Sequence, residues 1–395
     1  MVKRNRDGEL HLSLSLLDTA YYPGSWRHPE AEPERLLDPV FFYRLAQTAE
    51  RGKFDLLYVD HTGQNDYVRA TGKEPVLLLE PLTLLTSLAS VTEYIGLGTA
   101  VATAVHEPYA IARILAVIDH LSHGRTAWFA GTTGAYEPKR QGAGRISSDL
   151  PDAEQVERKR EFIEVADKLW DSWEDGALLI DKSMGRFLDS DKVHLIHHTG
   201  KHFKVRGPLS VPRPPQGRPV SIGVLDGLAE LNEADIEGKD LILCSQHTLD
   251  EARIFYKLLK EKALSAGRAA HEVKVLIHLF PILGATEQEA RDKAAALKEL
   301  ADPVAGLRGT HVFVGTAAQL ADWIEEWYQA YGSDGFNLQF PVLPNGLDTF
   351  VDEVIPLLQS RGLFRTSYAG RTLRGHLGLK VPAHPYAYHE GGLLR

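Results

Sequence analysis

Short apolar segments alternate with longer amphipathic segments along most of the chain. The amphipathic segments carry apolar residues at helical spacing, as in residues 38–52 and 108–122, and they predict helices. The short segments are apolar almost throughout, which is typical of parallel strands buried on both faces. These strand segments are HLSLSLL (11–17), FDLLYVD (54–60), IGLGTAVAT (95–103), GRTAWFAG (124–131), RPVSIGV (218–224), DLILCS (240–245), VKVLIHLFPIL (273–283) and DGFNLQF (334–340).

Eight strands, each followed by a helix, predict a closed (β/α)₈ barrel formed as a single domain over residues 1–395. A doubly wound open sheet is the alternative, but no glycine fingerprint follows the first strand. Two segments depart from the alternation. Residues 174–217 form an excursion before the fifth strand and contain a hairpin-like stretch, and residues 363–395 form a C-terminal extension with little periodicity.

The composition indicates which kinds of partner and which cellular compartment to expect. The chain of 395 residues has a formal net charge of −9, which argues against nucleic acid as the main partner. No apolar run approaches the roughly 18 residues of a membrane span, so no membrane association is expected. A single cysteine, Cys244, is predicted to be a buried strand residue, and it fits a reducing cytoplasm.

Chemistry in such a barrel lies where the strands end at their carboxyl side. Asp60 and His61 follow the second strand and could form an acid/base pair, a ligand clamp or only a loop cap. His106 could move a proton or position the turn before the third helix. His278 lies within the seventh strand, where it is a core residue or, if it faces the pocket, a neutral catalytic base. The histidines at 194, 197, 198 and 202 lie among lysines without a nearby carboxylate or thiolate, so no metal site is predicted.

Several blocks occur together in order: GSWRHP (24–29), LAQTAERGKFDLLYVD (45–60), FIEVADKLWDSWEDGALL (162–179) and the long block that begins DGFNLQFPVLPNGLDTF (334–350). Together they resemble the bacterial luciferase-like flavin monooxygenases, in the branch of the nitrilotriacetate and dibenzothiophene-sulfone monooxygenases. The resemblance covers most of the chain.

The resemblance implies a homodimeric barrel that takes reduced FMN from a separate flavin reductase and uses O₂ to oxygenate a small organic substrate. The candidate catalytic residues remain the three chosen from their positions on the barrel strands, Asp60, His106 and His278, and the resemblance places Asp60 beside the flavin ring. The cofactor site that it implies consists of Asp60, Thr103, Phe129, Thr132, Gly223, Val224 and Leu225. The candidate substrate-binding residues are Trp26, His61 and Phe129, and the aromatic side chains point to an apolar or aromatic substrate.

The chain departs from the family pattern at polar positions of the cofactor site. Phe129 stands where the family has asparagine, and Leu225 stands where the family has a serine near the phosphate. Ala104, Asp152, Val156 and Leu228 are further departures. Without hydroxyl donors, phosphate binding is expected to weaken unless a nearby cation compensates. The candidate cations are Lys139, Arg140, Arg145 and Arg158. The segment at 298–311 is also shorter than its family counterpart.

Two further hypotheses remain open at this point. One is an enzyme on the same barrel that no longer binds FMN and performs acid/base chemistry on a small metabolite, with Asp60, His61, His106, Phe129 and His278 lining the pocket. The other is a non-catalytic partner subunit. An intermediate possibility is an enzyme that binds a deazaflavin coenzyme in place of FMN.

Overall fold

Eight parallel strands close into a barrel in the computed structural model, which describes residues 8–16, 24–59, 79–131, 152–225, 238–300 and 310–386. The barrel strands are β1 (His11–Leu16), β2 (Leu56–Val59), β3 (Gly96–Ala102), β4 (Thr126–Gly131), β9 (Val220–Leu225), β10 (Leu241–Cys244), β11 (Lys274–Leu283) and β13 (Gly335–Leu338). Neighbouring barrel strands pair in that order, and β13 pairs with β1 to close the ring. The predicted barrel is confirmed, and Cys244 is a buried strand residue as expected.

Helices cover the outside of the barrel: α1 (Pro39–Arg51), α2 (Pro81–Ala89), α3 (Pro108–Leu121), α4 (Asp152–Trp170), α5 (Leu249–Ser265), α6 (Glu287–Leu300) and α7 (Ala317–Gln329). The apolar faces of six of them pack on the outward-facing strand residues in the larger core cluster. α6 packs instead in a smaller cluster, where Leu297 meets Phe280 and Ile282 of β11. In the described part of the chain, no helix is both long and apolar enough to cross a membrane.

One strand–helix unit was not predicted. After β11 the chain forms α6 and then a further strand, β12 (His311–Gly315), before α7 begins. β11 has ten residues, and its second half, Leu279–Leu283, extends past the barrel and pairs with β12. β12 was missed because alternate side chains in it are exposed, so it lacks the continuous apolar character of the barrel strands.

The helix predicted over residues 347–362 is divided into three parts. An α-helical turn, α8 (Asn345–Thr349), leads into a π-helical turn at Phe350–Val354 and then into α9 (Ile355–Ser360). Pro356 has no N–H group to continue the regular helical ladder, and the Ile355 N–H bonds to the Phe350 carbonyl instead.

Residues 174–217 contain two short antiparallel pairs. β5 (Leu178–Asp181) pairs with β6 (Arg186–Leu188), and β7 (His198–Thr199) pairs with β8 (Lys204–Val205). The second pair lies against α4, where the Glu161 carboxylate accepts hydrogen bonds from the His202 and Phe203 backbone N–H groups.

The described part of the C-terminal extension seals the amino-terminal end of the barrel. A short helix, α10 (Leu373–His376), places Leu373 and Leu377 in the cluster of apolar residues that fills the lower barrel interior. Arg374 in the same helix forms an ion pair with Asp240, which precedes β10. The segment therefore closes the face opposite to the one where barrel enzymes place their sites.

Candidate functional site

Polar side chains occupy one half of the barrel interior. Ser13 and Ser15 come from β1, His278 from β11 and Asn337 from β13. The parallel register places Asn337 opposite both Ser13 and His278, so their side chains meet in one layer. Ser13 Oγ donates to Asn337 Oδ1, Ser15 Oγ lies 3.2 Å from the same oxygen, and Asn337 Nδ2 lies 2.9 Å from His278 Nδ1.

A second amide approaches the same imidazole from above. Gln339, just after β13, places Nε2 3.4 Å from His278 Nδ1. Its Oε1 accepts a hydrogen bond of 2.9 Å from Thr310 Oγ1. Ser13, Ser15, Asn337 and Gln339 are all at least nine-tenths buried, so these polar groups satisfy one another away from solvent.

The other half of the interior is apolar. Ala100 on β3, Phe129 on β4 and Val224 on β9 are partly buried and pack on the interior cluster that the C-terminal leucines close from below. Phe129 and Val224, both predicted site residues, therefore face the interior opposite the Asn337 layer. A flat molecule between the two halves would meet an apolar wall on one side and hydrogen-bonding groups on the other.

Thr103 lies at the barrel mouth, but its side chain is already bonded. Its hydroxyl donates to the Gly131 carbonyl at 2.8 Å, which ties the ends of β3 and β4 together. The Thr103 carbonyl accepts a hydrogen bond from the Arg158 guanidinium, which lies 4.5 Å from the Phe203 ring centroid. Arg158, one of the cations considered for the phosphate, thus braces α4 against the end of β3.

The residues predicted for the phosphate end of the cofactor are divided by the strand alternation. Val224 faces the interior, whereas the Leu225 side chain is buried in the outer core between the barrel and its helices. Gly223 lies within β9, opposite Ile242 of β10. Leu225 can therefore contribute only backbone atoms at the mouth, which agrees with its side chain lacking any group for phosphate.

His106 lies in the turn between β3 and α3, and its side chain is exposed. Partial burial of the ring lowers the pKa of His106, while the negative charge of Glu80 opposes that shift. Trp26 is half-buried in a 3₁₀ turn at Ser25–Arg27. The neighbouring Arg27 donates to the Leu300 carbonyl at the end of α6, so this turn packs on α6.

Several predicted residues lie outside the described residues. They are Asp60, His61, Thr132, Lys139, Arg140, Arg145 and Leu228, together with the side chain of Asp152. Of the predicted catalytic residues, His278 lies inside the barrel and His106 lies on the exposed turn. Their roles stay predictions.

Ser13, Ser15 and Asn337 were not predicted as site residues, because they lie within strands rather than after them. A signal for them was present. In HLSLSLL the serines alternate with leucines, so both serines share one face of β1, and Asn337 is the only polar residue within GFNL.

One buried polar atom near the mouth has no partner among the described residues. Gln246 follows β10 directly, is nearly fully buried, and its Nε2 makes no hydrogen bond within the described part of the chain. An unpartnered buried donor is costly unless a bound molecule supplies an acceptor. Gln246 is therefore a candidate donor at the carboxyl end of the barrel.

Two histidines of the excursion contact glutamate carboxylates, so the expectation that no carboxylate lies near them is wrong. His198 Nε2 lies 3.1 Å from Glu161 Oε1, and His194 Nε2 lies 2.7 Å from Glu174 Oε1. Within the described ranges, no group of three or more histidine, cysteine or acidic side chains is arranged to hold a metal ion.

A cavity of about 710 Å³ lies outside the barrel wall, between α4 and strands β4 and β9. The guanidinium of Arg218 in its lining is paired with Asp167. Leu225 and Gly238, the residues that flank 226–237, both line it, so the cavity borders a stretch outside the described residues.

The model of the luciferase-like monooxygenase family matches residues 24–305, more than half of the chain. The chain belongs to the luciferase-like monooxygenase family. Among curated members, N-acetyl-S-(2-succino)cysteine monooxygenase of Bacillus subtilis (strain 168) is 34% identical over 96% of this chain and 98% of that protein. Nitrilotriacetate monooxygenase component A of Aminobacter aminovorans is also 34% identical, with the same coverage.

Solved structures of luciferase-like monooxygenases share the fold. The long-chain alkane monooxygenase has a TM-score of 0.83 at 27% identity, covering 94% of this chain and 96% of that one. The EDTA monooxygenase of Chelativorans sp. BNC1 has a TM-score of 0.81 at 27% identity, covering 94% and 98%. The alignment with the Bacillus protein spans 441 positions, more than the 395 residues of this chain, so that relative carries residues that this chain lacks.

The interior of this luciferase-like protein fits the ring of a flavin. A flavin ring has apolar faces and one edge of carbonyl and ring-nitrogen groups. The barrel interior offers the apolar side chains of Phe129 and Val224 on one side and the polar groups of Asn337 and His278 on the other. The phosphate end of FMN finds fewer binding groups among these residues. The Arg158 guanidinium already donates to the Thr103 carbonyl, and Leu225 can offer only its backbone atoms.

Proposed function

We propose that this chain is the oxygenating component of a two-component flavin monooxygenase, which uses reduced FMN and O₂ to oxygenate a small organic substrate. The observation that carries the proposal is the divided barrel interior, in which Phe129 and Val224 face buried amide and imidazole groups. Family membership supports it, since relatives that match almost the full chain are monooxygenases.

In this proposal each half of the site has its own task. Phe129 and Val224 lie against a ring face and exclude water, while Gln246 and His278 bind polar atoms of the ring edge or the substrate. Bound reduced FMN would supply the electrons that activate O₂, and the protein supplies binding, orientation and a dry pocket. Asp60, His61 and Thr132 are proposed to complete the mouth, with Asp60 beside the ring.

The proposed partners are a separate flavin reductase and a second copy of this chain. The name of the Aminobacter relative, component A, indicates a second component in that system. For the homodimer, Ile114, Val117 and Leu121 form an exposed aliphatic stripe on α3. Light scattering of the purified chain measures directly whether it is a dimer.

A cytoplasmic location is proposed from the single reduced, buried cysteine.

The first experiment is an anaerobic calorimetric titration with reduced FMN, followed by oxidised FMN. We expect reduced FMN to bind one equivalent per chain with a Kd of roughly 1–10 μM, equivalent to about 7–8 kcal/mol. Absence of binding at millimolar reduced FMN would overturn the proposal. Turnover of a small metabolite without any flavin would favour the acid/base alternative.

The variant Gln246→Leu tests whether Gln246 donates a hydrogen bond to the flavin ring. We expect affinity for reduced FMN and for reduced riboflavin to fall equally, about tenfold, because the lost hydrogen bond contacts the ring and not the phosphate. Thermal stability should stay equal or rise, since a buried unpartnered amide is removed. Gln288→Leu, at an exposed position of α6, is the matched control. Unchanged flavin affinity in Gln246→Leu would remove Gln246 from the site.

Once flavin binding is established, substrates are screened by O₂ uptake corrected for peroxide release. The panel contains the substrates named for relatives: N-acetyl-S-(2-succino)cysteine, nitrilotriacetate and dibenzothiophene sulfone. A substrate is accepted only when an oxygenated product accompanies the corrected uptake.

A further inference from the structure

Two side-chain amides direct their nitrogen atoms at the same ring nitrogen of His278. Asn337 Nδ2 lies 2.9 Å and Gln339 Nε2 lies 3.4 Å from His278 Nδ1. An amide nitrogen only donates, so Nδ1 must accept and carries no proton. We propose that Asn337, supported by Gln339, is a positioning residue that keeps the proton of His278 on Nε2. The imidazole then serves as an N–H donor to an acceptor oxygen of the bound molecule, a step that rests on the proposed function.

The orientation of both amides follows from their other partners, since the hydrogen-bond network assigns which end is oxygen. Asn337 Oδ1 accepts from the Ser13 hydroxyl. The Ser15 hydroxyl lies between the two ends of the amide, with its Oγ 3.2 Å from Oδ1 and 2.8 Å from Nδ2, which donates to it. Gln339 Oε1 accepts from the Thr310 hydroxyl. With each oxygen turned to a hydroxyl, each nitrogen faces the imidazole. The opposite orientation would turn two carbonyl oxygens toward one ring nitrogen and make the Ser13 and Thr310 hydroxyls act as acceptors.

The strand register makes this arrangement rigid. Asn337 is directly opposite Ser13 on one neighbouring strand and His278 on the other, and Asn337 is fully buried. Nδ1 is therefore occupied and cannot act as the base proposed for His278 from the sequence. A second proton on Nδ1 would confront the two amide N–H groups, so the ring acts through Nε2 as a donor.

The decisive measurement is the tautomer of His278 in the apoprotein. The chain is labelled with ring-¹⁵N histidine, and the His278 signals are assigned as those lost in His278→Gln. We expect an unprotonated-type shift for Nδ1 and a protonated-type shift for Nε2 at neutral pH. A proton on Nδ1, or averaged shifts that show rapid exchange between tautomers, would overturn the inference.

Asn337→Asp is the matched perturbation, because it replaces the donating NH₂ by an accepting oxygen at the same place. We expect the proton to move to Nδ1 and the affinity for reduced FMN or substrate to fall about tenfold. Asn345→Asp, at an exposed position, is the control and should change neither quantity. A folded Asn337→Asp that retains the wild-type tautomer would contradict the positioning role. If Asn337→Asp does not fold, the wild-type spectrum still decides.

The inference and the proposed function fail separately. The wild-type spectrum needs no ligand, so a proton on Nδ1 defeats the positioning role even when reduced FMN binds. Conversely, if the proton is on Nε2 but the chain binds no flavin, the positioning role of Asn337 stands and the proposed flavin site is wrong.

Discussion

Asp55 is a fully buried carboxylate at the amino-terminal end of β2, and three groups compensate its charge. Arg365 Nη2 donates to Asp55 Oδ1 at 2.7 Å, His11 Nδ1 lies 3.1 Å from the same oxygen, and the Leu12 N–H donates to Oδ2 at 2.9 Å. Burial opposes ionisation, but the charge of Arg365 and the contacts with His11 outweigh it and hold the pKa of Asp55 far below its usual range.

Arg365→Met should therefore destabilise the protein in a pH-dependent way. A carboxylate with a depressed pKa stabilises the folded state above its unfolded pKa of about 3.9, and this contribution is lost as the pH falls. We expect Arg365→Met to lower the free energy of unfolding by about 3–5 kcal/mol at pH 7, with a smaller loss below pH 4. Urea unfolding at several pH values measures this, with the exposed Arg371→Met as control. A pH-independent loss would contradict the ion-pair explanation.

At the level of single residues, the sequence located part of the candidate site. His278 and Phe129 follow strand alternation into the interior, as their positions suggested. Leu225 does not, because one step along β9 turns a side chain from the interior to the outer core. Asn337 was missed because its importance comes from the residues opposite it, and a single strand does not show its neighbours.

Among the elements, the β7–β8 hairpin depends on one side chain of α4. The Glu161 carboxylate accepts from the His202 N–H at 2.9 Å, from the Phe203 N–H at 2.8 Å and from His198 Nε2 at 3.1 Å. Through the Phe203 ring the hairpin also contacts Arg158, which donates to the Thr103 carbonyl at the barrel mouth. The hairpin and the mouth are thus joined by a continuous set of contacts.

Glu161→Gln should loosen this hairpin. The substitution keeps the shape but turns one acceptor oxygen into a donor that faces another donor, so we expect a loss of about 1–3 kcal/mol in local stability. Hydrogen exchange of the His202 and Phe203 amides should accelerate accordingly. Glu164→Gln changes the same helix at a carboxylate that is more than half exposed. This carboxylate contacts the hairpin only at His198 Nδ1, 3.9 Å away, and accepts from neither backbone N–H group, so the exchange of both amides should stay unchanged. Equal acceleration of amide exchange in both variants would show that the Glu161 carboxylate does not hold the hairpin.

Most elements were predicted because buried parallel strands and amphipathic helices have distinct patterns. The barrel strands and the helices α1, α2, α3, α5 and α7 follow those patterns. β12 was not predicted, since an alternating strand of five residues resembles an ordinary connection. The role of the chain end was not predicted either, because residues 363–386 contact the barrel through individual side chains rather than through a periodic face.

At the scale of the whole molecule, the amino-terminal end of the barrel is sealed by Leu373. A Cβ on Gly96 would lie 2.7 Å from Leu373 Cδ1 and 2.8 Å from the Asp55 carbonyl oxygen. β3 therefore accepts only glycine at this point, and the C-terminal helix fits directly against its backbone.

Leu373→Ala should leave a cavity and lower the free energy of unfolding by about 2–5 kcal/mol. Gly96→Ala should also destabilise, and the double variant should lose less than the sum, because the leucine methyl groups are gone while the Asp55 carbonyl remains. Denaturant unfolding of the three variants measures the coupling, with the exposed Leu37→Ala as control. Strict additivity would show that the two residues do not press on each other.

The bond between Ser13 and Asn337 joins residues 324 positions apart. A ribosome must therefore have made nearly the whole chain before the inner layer of the site can assemble, and truncated products lack it altogether. If reduced flavin reacts with O₂ in this barrel, an incomplete enzyme that consumed flavin without oxygenating a substrate would release peroxide. Any reaction that depends on the Asn337 layer must wait for that late stage of synthesis.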